Sequence, residues 1–281
     1  MDEPSDTQIV EALSASGFLF EQECASALEA LGFHVETSWP FADPDQGKSR
    51  ELDLRAIKRV HHDESAKLDV FVELLVECKD FEAPLVFLER PKNKRELESP
   101  QPNEYRFPRP HYGRQVRSNA FGEAPGFEFF GLADKHYYYR EASKATQFVK
   151  IVRKGKDWTA NHDGVHDAIV LPLAKVLEFR KGQLPRSGPR KEDWCSIWLF
   201  FPIVLVRNRL LAYVPTATPS LSERGRVSYV RGLQSESVRG SYMIDFVKYA
   251  HLQNYVEAEV QSFAAAVSEL ASTKGAAIRG E

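Results

Sequence analysis

The segment from Leu68 to Cys78 constrains this chain more than any other. It packs Val70, Phe71, Val72, Leu74, Leu75 and Val76 into one short stretch. That is too continuous for a strand with one wet face and suits a central strand covered on both sides. The run ends in Glu77-Cys78-Lys79-Asp80, so charge is delivered to the tip of an apolar strand.

The flanking sequence supplies partners for such a strand. Phe20, Cys24, Ala27, Leu28 and Leu31 recur at helical spacing, with Gly32 as the stop. Phe33 to Trp39 reads as a strand ended by Pro40 and the turn-rich Asp43-Pro44-Asp45-Gln46-Gly47, and Glu51 to Val60 reads as a second strand. Residues 82–127 form a long stretch without periodicity, rich in Pro, Arg and Asn, which reads as a loop insertion. Helical patterns return near Glu141–Val152 and Gly164–Phe179. After the linker Lys181–Pro189, strands Ser196–Val206 and Leu210–Val214 read as a hairpin joined at Arg207-Asn208-Arg209. A last amphipathic helix carries Leu252, Tyr255, Val256, Val260, Phe263, Ala264 and Val267, and a small polar tail follows from Ser272. The order predicts an α/β fold.

Composition narrows the class. With 43% apolar and 27% charged residues the chain is an ordinary globular one. Its longest apolar run, Ile197 to Val206, falls well short of the roughly 20 residues a spanning helix needs, so no membrane partner is expected. The acidic start lacks the regions of a signal peptide, and Cys24, Cys78 and Cys195 lack metal-ligand spacing, which predicts reduced thiols and a cytoplasmic protein. A formal net charge of −3 gives no overall attraction for a polyanion, so any such attraction must be local.

Chemistry concentrates at the tip of the apolar strand. Residues two apart on a strand share a face, so Glu77 and Lys79 project together while Cys78 turns away. If strands 51–60 and 68–78 pair antiparallel, Asp53 lies beside Glu77. Two close carboxylates repel, and a divalent cation relieves that conflict. Mg²⁺ takes one or two carboxylates and keeps waters and phosphate oxygens in its other positions. Asp53, Glu77 and the carbonyl of Cys78 would supply such a site, with Lys79 orienting a water or neutralising a phosphate. The alternative is a surface ion pair at a strand end.

These residues resemble the PD-(D/E)xK nuclease superfamily, nearest in pattern to Mrr-type and Holliday-junction-resolvase-like members. Phe20-Glu21 leads to Gly32-Phe33, then Asp53, then Glu77-Cys78-Lys79, in the order those members show; Leu52 replaces the proline of the motif. The resemblance covers residues 17–80. It implies a restriction-endonuclease-like core, a mixed central sheet flanked by helices, over 17–180 with the basic insertion at 82–127. To this are added an N-terminal tail and lead-in over 1–16, a C-terminal α/β extension over 190–271 packed on the core, and a flexible tail over 272–281. It further implies a metal-dependent endonuclease acting on DNA rather than RNA, with Mg²⁺ as cofactor and Mn²⁺ able to substitute. Asp53, Glu77, Cys78 and Glu21 are then the metal residues. Lys79, Glu77, Asp53, Glu21 and Gln147 are the catalytic set, Gln147 being an auxiliary residue on a helix after the lysine strand. Periodicity alone does not choose between Glu21 and Glu23. The resemblance leaves room for a homo-oligomer or a defence-system partner protein. The alternative function is a non-catalytic nuclease-fold binding module or interaction subunit.

Other features have plainer readings beside functional ones. From Arg90 to Arg117 eight Lys/Arg face three Glu, interleaved with Tyr105, Phe107, His111 and Tyr112, which suits phosphate contact and base stacking or a solvated insertion. His136-Tyr137-Tyr138-Tyr139 reads as core before groove, and His61-His62 as a hairpin tip. His162 and His166 have the spacing of one helix face but no third metal ligand.

Overall fold

The computed structural model describes residues 3–80, 82–98, 102–117, 120–162, 164, 166–184, 193–215 and 218–281. Two helices lead, α1 (Asp6–Ala15) and α2 (Phe18–Ala30), followed by the antiparallel run β1 (His34–Ala42), β2 (Ser49–Asp63) and β3 (Leu68–Lys79). Next come β4 (Leu85–Pro91), α3 (Lys94–Glu98), β5 (Tyr105–Arg106), β6 (Tyr112–Arg117), β7 (Ala120–Ala124), α4 (Gly126–Phe129) and α5 (Tyr137–Arg140). Then follow β8 (Ser143–Lys154), β9 (Asp157–Asn161), α6 (Leu171–Gln183), β10 (Cys195–Val206), β11 (Leu210–Val214) and β12 (Ser220–Arg224). The chain closes with β13 (Arg226–Gln234), β14 (Arg239–Lys248), α7 (Leu252–Tyr255) and α8 (Ser262–Arg279).

One large mixed sheet runs β1-β2-β3-β10-β14-β13-β8-β4-β11-β12, with β5 added to β10 and β9 to β8. β3 is paired on both edges, antiparallel to β2 and parallel to β10. That is the reason its sequence is so apolar: both faces and both edges are taken. Val70, Val72, Leu74, Val76 and Cys78 join α2 and α8 in one core, whereas Leu75 packs into a second core with α6, β4 and β8. The architecture is therefore α/β, a mixed central sheet with helices on its faces. No helix among the described residues is long and apolar enough to cross a membrane.

Several elements depart from the sequence reading. The lead-in is a helix rather than a tail, because Ser5 and Gln8 form a capping box: the Gln8 N–H donates to Ser5 Oγ at 3.3 Å and the Ser5 N–H to Gln8 Oε1 at 2.9 Å. β1 runs through Pro40, which is tolerated because β1 is an edge strand. The 82–127 stretch is no loop: β4 joins the main sheet, β6 and β7 form a separate hairpin, and Phe107, Phe127 and Tyr112 enter the first core. Residues 143–154 form a strand, not a helix, since β-branched Val149, Ile151 and Val152 pair β8 with β4 and β9, while Thr146 sits at a bulge in the β4 ladder and donates its hydroxyl to Leu88 O at 3.2 Å. His162 therefore stands outside any helix, and the side chain of His166 lies outside the described residues. Part of the 181–189 linker lies outside them too, and α6 already covers its start.

The 196–214 strands exist but do not form a hairpin with each other. β10 inserts between β3 and β14, while β11 pairs with β4 and β12. The interior proline of β10 fits this arrangement. Phe200 N–H donates to Glu104 O at 3.0 Å, away from β3. The missing N–H of Pro202 would point the same way, into the gap where the outer neighbour of β10 changes from β5 to β14. The 272–281 tail is not free either: α8 continues to Arg279, and Ile278 and Arg279 are buried.

Candidate active site

β2 and β3 pair antiparallel up to Leu54↔Val76, and beyond that point the ladder gives way to side chains. One residue further, the Asp53 carboxylate takes the place of a backbone acceptor: Cys78 N–H donates to Asp53 Oδ2 at 2.7 Å. This pins Asp53 to β3. The Lys79 ammonium bridges the two strands, 2.6 Å from Glu77 Oε2 and 3.6 Å from Asp53 Oδ2. Asp53 and Lys79 keep 22% and 24% of their side-chain surface exposed, while Glu77 keeps 9%, so the cluster is open to solvent mainly through Asp53 and Lys79.

The helix completes the group. Phe20, Cys24 and Leu28 dock α2 on the first core and leave Glu21 half-buried in its first turn. Burial raises the Glu21 carboxyl above its ordinary range, and the negative charges of Asp53 and Glu51 add to it against Lys79. Glu23 instead pairs with exposed Arg207 at 3.1 Å, and Arg207 also reaches Asp80 at 3.2 Å and lies over the Phe20 ring. Of the two acids that periodicity left open, Glu21 feels the charges of Asp53 and Lys79, while Glu23 is taken up by Arg207.

Charge at this point is out of balance. Burial, then the nearby Asp53 carboxylate, push Glu77 up to about 7, outweighing the pull of Lys79. Burial lowers the Lys79 ammonium, but Glu77 and Asp53 more than reverse that, so its pKa is raised. Carboxylates raised in this way hold a surplus of negative charge that a cation relieves. Among the described residues no three His, Cys, Asp and Glu side chains gather at ligand spacing, and the ammonium of Lys79 stands between the two acids. The donor set fits a hard cation in its chemistry: oxygen donors from Asp53, Glu77 and Glu21, with no soft ligand among them. Cys78 contributes its N–H to Asp53, while its thiol is buried beside Cys24, which with burial raises its pKa.

Gln147 is the exception. It lies on β8, opposite Leu88 of β4, and is exposed; no hydrogen bond or charge interaction ties it to the cluster among the described residues. Two residues that the sequence reading passed over do bear on the site. Glu51 acts on Glu21 from two positions before Asp53, a spacing that strand periodicity places on the same face. Lys150 is pushed down by burial and then by the positive charge of Lys79. Nothing local to the sequence marks Lys150, which is tied to the strand following β3 only by long-range pairing, opposite Leu85 of β4.

Fold and site together define an α/β protein whose central strand ends in a carboxylate–lysine cluster. No protein-family model matches the chain, and no curated protein or solved structure matches it.

Proposed function

We propose that this protein is a metal-dependent endonuclease that hydrolyses DNA phosphodiester bonds in the manner of the restriction-endonuclease-like PD-(D/E)xK enzymes. The observation that carries the reading is the meeting of Asp53, Glu77 and Lys79 from two adjacent strands in one partly exposed cluster, with Glu21 within electrostatic reach. A Mg²⁺ ion held by Asp53 and Glu77, with the Cys78 carbonyl and Glu21 in support, would lower the pKa of a bound water and offset phosphate charge. The chain's own part is to hold and orient. Asp53 is fixed by the Cys78 N–H, Glu77 is held by Lys79, and Lys79 offers a compact cation to the developing charge of a phosphorane-like transition state. Gln147 has no role in this reading.

The test is cleavage of plasmid and linear DNA by purified protein in Mg²⁺ or Mn²⁺, with EDTA as control. Asp53→Ala and Lys79→Ala are each expected to slow cleavage by about 10²-fold or more, the scale of losing one electrostatic catalyst. Unchanged activity in both variants sinks the assignment. The second reading, a non-catalytic binding module or interaction subunit, draws on the closed Lys79–Glu77 pair, which is also what a purely structural ion pair looks like. Calorimetry separates the two: Mn²⁺ binding that vanishes in Asp53→Ala supports the enzyme, and no Mn²⁺ binding in the wild type supports the module.

A further inference from the structure

A second polar feature lies at the other end of the same strands. β5 brings Arg106 opposite Trp198 of β10, and Trp198 faces Phe71 of β3. Glu77 faces Val204, six residues further along β10, or roughly 20 Å at the rise of a strand. Around Arg106 opens a groove of about 970 Å³ to which three separate chain segments give four cations, Arg106 and Arg109 from one, Lys181 from a second and Arg239 from a third, against Glu123 and Glu128.

The groove is built rather than incidental. Asn103 Nδ2 donates to Ser241 O at 2.9 Å, tying the segment before β5 to the start of β14. Gly240 makes this approach possible: it has φ +124°, and a Cβ there would stand 2.6 Å from Asn103 Nδ2. Lys181 is matched by Glu178 at 2.7 Å. Arg109 and Arg239 are both exposed, and their guanidiniums make long bonds to carbonyls, Gly280 O and Ser235 O, each at 3.4 Å. Among the described residues neither guanidinium has a carboxylate within ion-pair distance. Uncompensated arginines on the rim of a wide groove suit a chain of phosphates, because each planar fork takes one phosphate bidentately and releases its counterions.

We infer that this groove is a phosphate-backbone binding surface that holds nucleic acid apart from the carboxylate cluster. The choice of nucleic acid as ligand rests on the nuclease reading; the groove and its charge do not. Binding and cleavage are then divided between two ends of one strand pair, and each can be removed without the other.

The experiment measures anisotropy of a labelled duplex of about 24 base pairs in EDTA, with salt varied over roughly 50–200 mM. It compares wild type with Arg109→Gln/Arg239→Gln, with Asp53→Asn, and with Lys154→Gln/Lys156→Gln as an equal charge loss on the exposed β8–β9 turn. The groove variant is expected to bind at least about tenfold more weakly at low salt, with the slope of log K against log salt smaller by about 2. The other two variants are expected to keep the wild-type slope. Each single arginine variant should lose about half of that slope change, and an unchanged thermal midpoint shows that the fold is kept.

The inference is overturned if the groove variant binds within about twofold of wild type or if the Lys154/Lys156 variant matches it. It is also overturned if inorganic phosphate at equal phosphate concentration displaces the duplex, which marks a single-anion pocket. Duplex binding lost in the groove variant, with no cleavage by any form, removes the nuclease reading and keeps the groove. Asp53-dependent cleavage with normal binding in the groove variant does the reverse.

Discussion

Glu73 and Glu77 stand four residues apart on the same face of β3, and their surroundings assign them opposite tasks. Glu73 is fully buried between two guanidiniums: Arg180 donates to it at 2.6 and 2.9 Å and Arg55 at 2.8 Å. Removing it leaves buried Arg180 with no carboxylate and Arg55 with Glu36 alone, so Glu73→Ala is expected to cost about 3–5 kcal/mol in urea unfolding. Glu77 meets one lysine and further carboxylates, and its ionised form is held at a disadvantage. Glu77→Gln is therefore expected to keep or raise the unfolding midpoint while removing activity, the pattern of a site strained for function. A midpoint drop as large as that of Glu73→Ala would mark Glu77 as a structural partner only. Glu104 gives a pH prediction. Its carboxyl is fully buried, Met243 N–H donates to Oε1 at 2.7 Å, Oε2 has no partner among the described residues, and burial raises the group from 4.5 to about 7. Between those values the unfolded chain has released the proton that the folded protein still holds. Stability contributed by this group is therefore whole below pH 4.5, falls as pH rises to about 7 and is flat above, a loss of roughly 3 kcal/mol. Glu104→Gln should flatten that slope in urea titrations at pH 5 and 8; an unaltered slope refutes the cause.

At the scale of elements, α1 and α4 contribute in contrasting ways. No residue of α1 is buried, and Ile9, Val10 and Leu13 are 43%, 56% and 43% exposed. Its capping box forms the helix, but the helix adds little burial, so a chain lacking residues 3–15 is expected to unfold within about 1 kcal/mol of the full one. A loss of several kcal/mol would mean that α1 packs more tightly than its exposure shows. Gly126 begins α4 against the Phe107 ring, where a Cβ would sit 2.4 Å from Cγ. Gly126→Ala is expected to cost about 1–3 kcal/mol by overpacking, read as a lower midpoint in thermal melts. Elements with a strong local signal were legible: α2, β2, β3, the β10 strand and the closing helical face all stand where periodicity put them. Those that fail do so for a shared reason. β4 and the end of α8 are defined by distant partners and carry no period that a local window detects, while the helical period over β8 is overridden by its pairing with β4 and β9.

For the whole molecule, the decisive fact is that β10, from the C-terminal half, lies between β3 and β14 in a single sheet. The edge of β3 that would face water in a fragment ending near residue 180 is paired with β10 along its whole length. A 17–180 fragment is thus expected to be insoluble or unfolded alone. The full chain should lose far-UV circular dichroism and tryptophan fluorescence in one coincident transition. Separate transitions for the two halves would overturn this.

The sequence by itself determined that β3 is central, that Glu77 and Lys79 leave it on one face, and that a short antiparallel return brings Asp53 alongside. These follow from hydrophobic burial and the two-residue repeat of a strand, which act over a few residues. Only the tertiary structure decided that Glu21 rather than Glu23 is coupled to the charge of the cluster, that Lys150 feels the charge of Lys79 while no bond ties Gln147 to the cluster among the described residues, and that β10 inserts beside β3. It also decided that the basic segment lines a groove at the opposite end of the strands. Those outcomes depend on which distant edges pair and which faces dock, and the energy that selects them is shared among residues far apart in the chain.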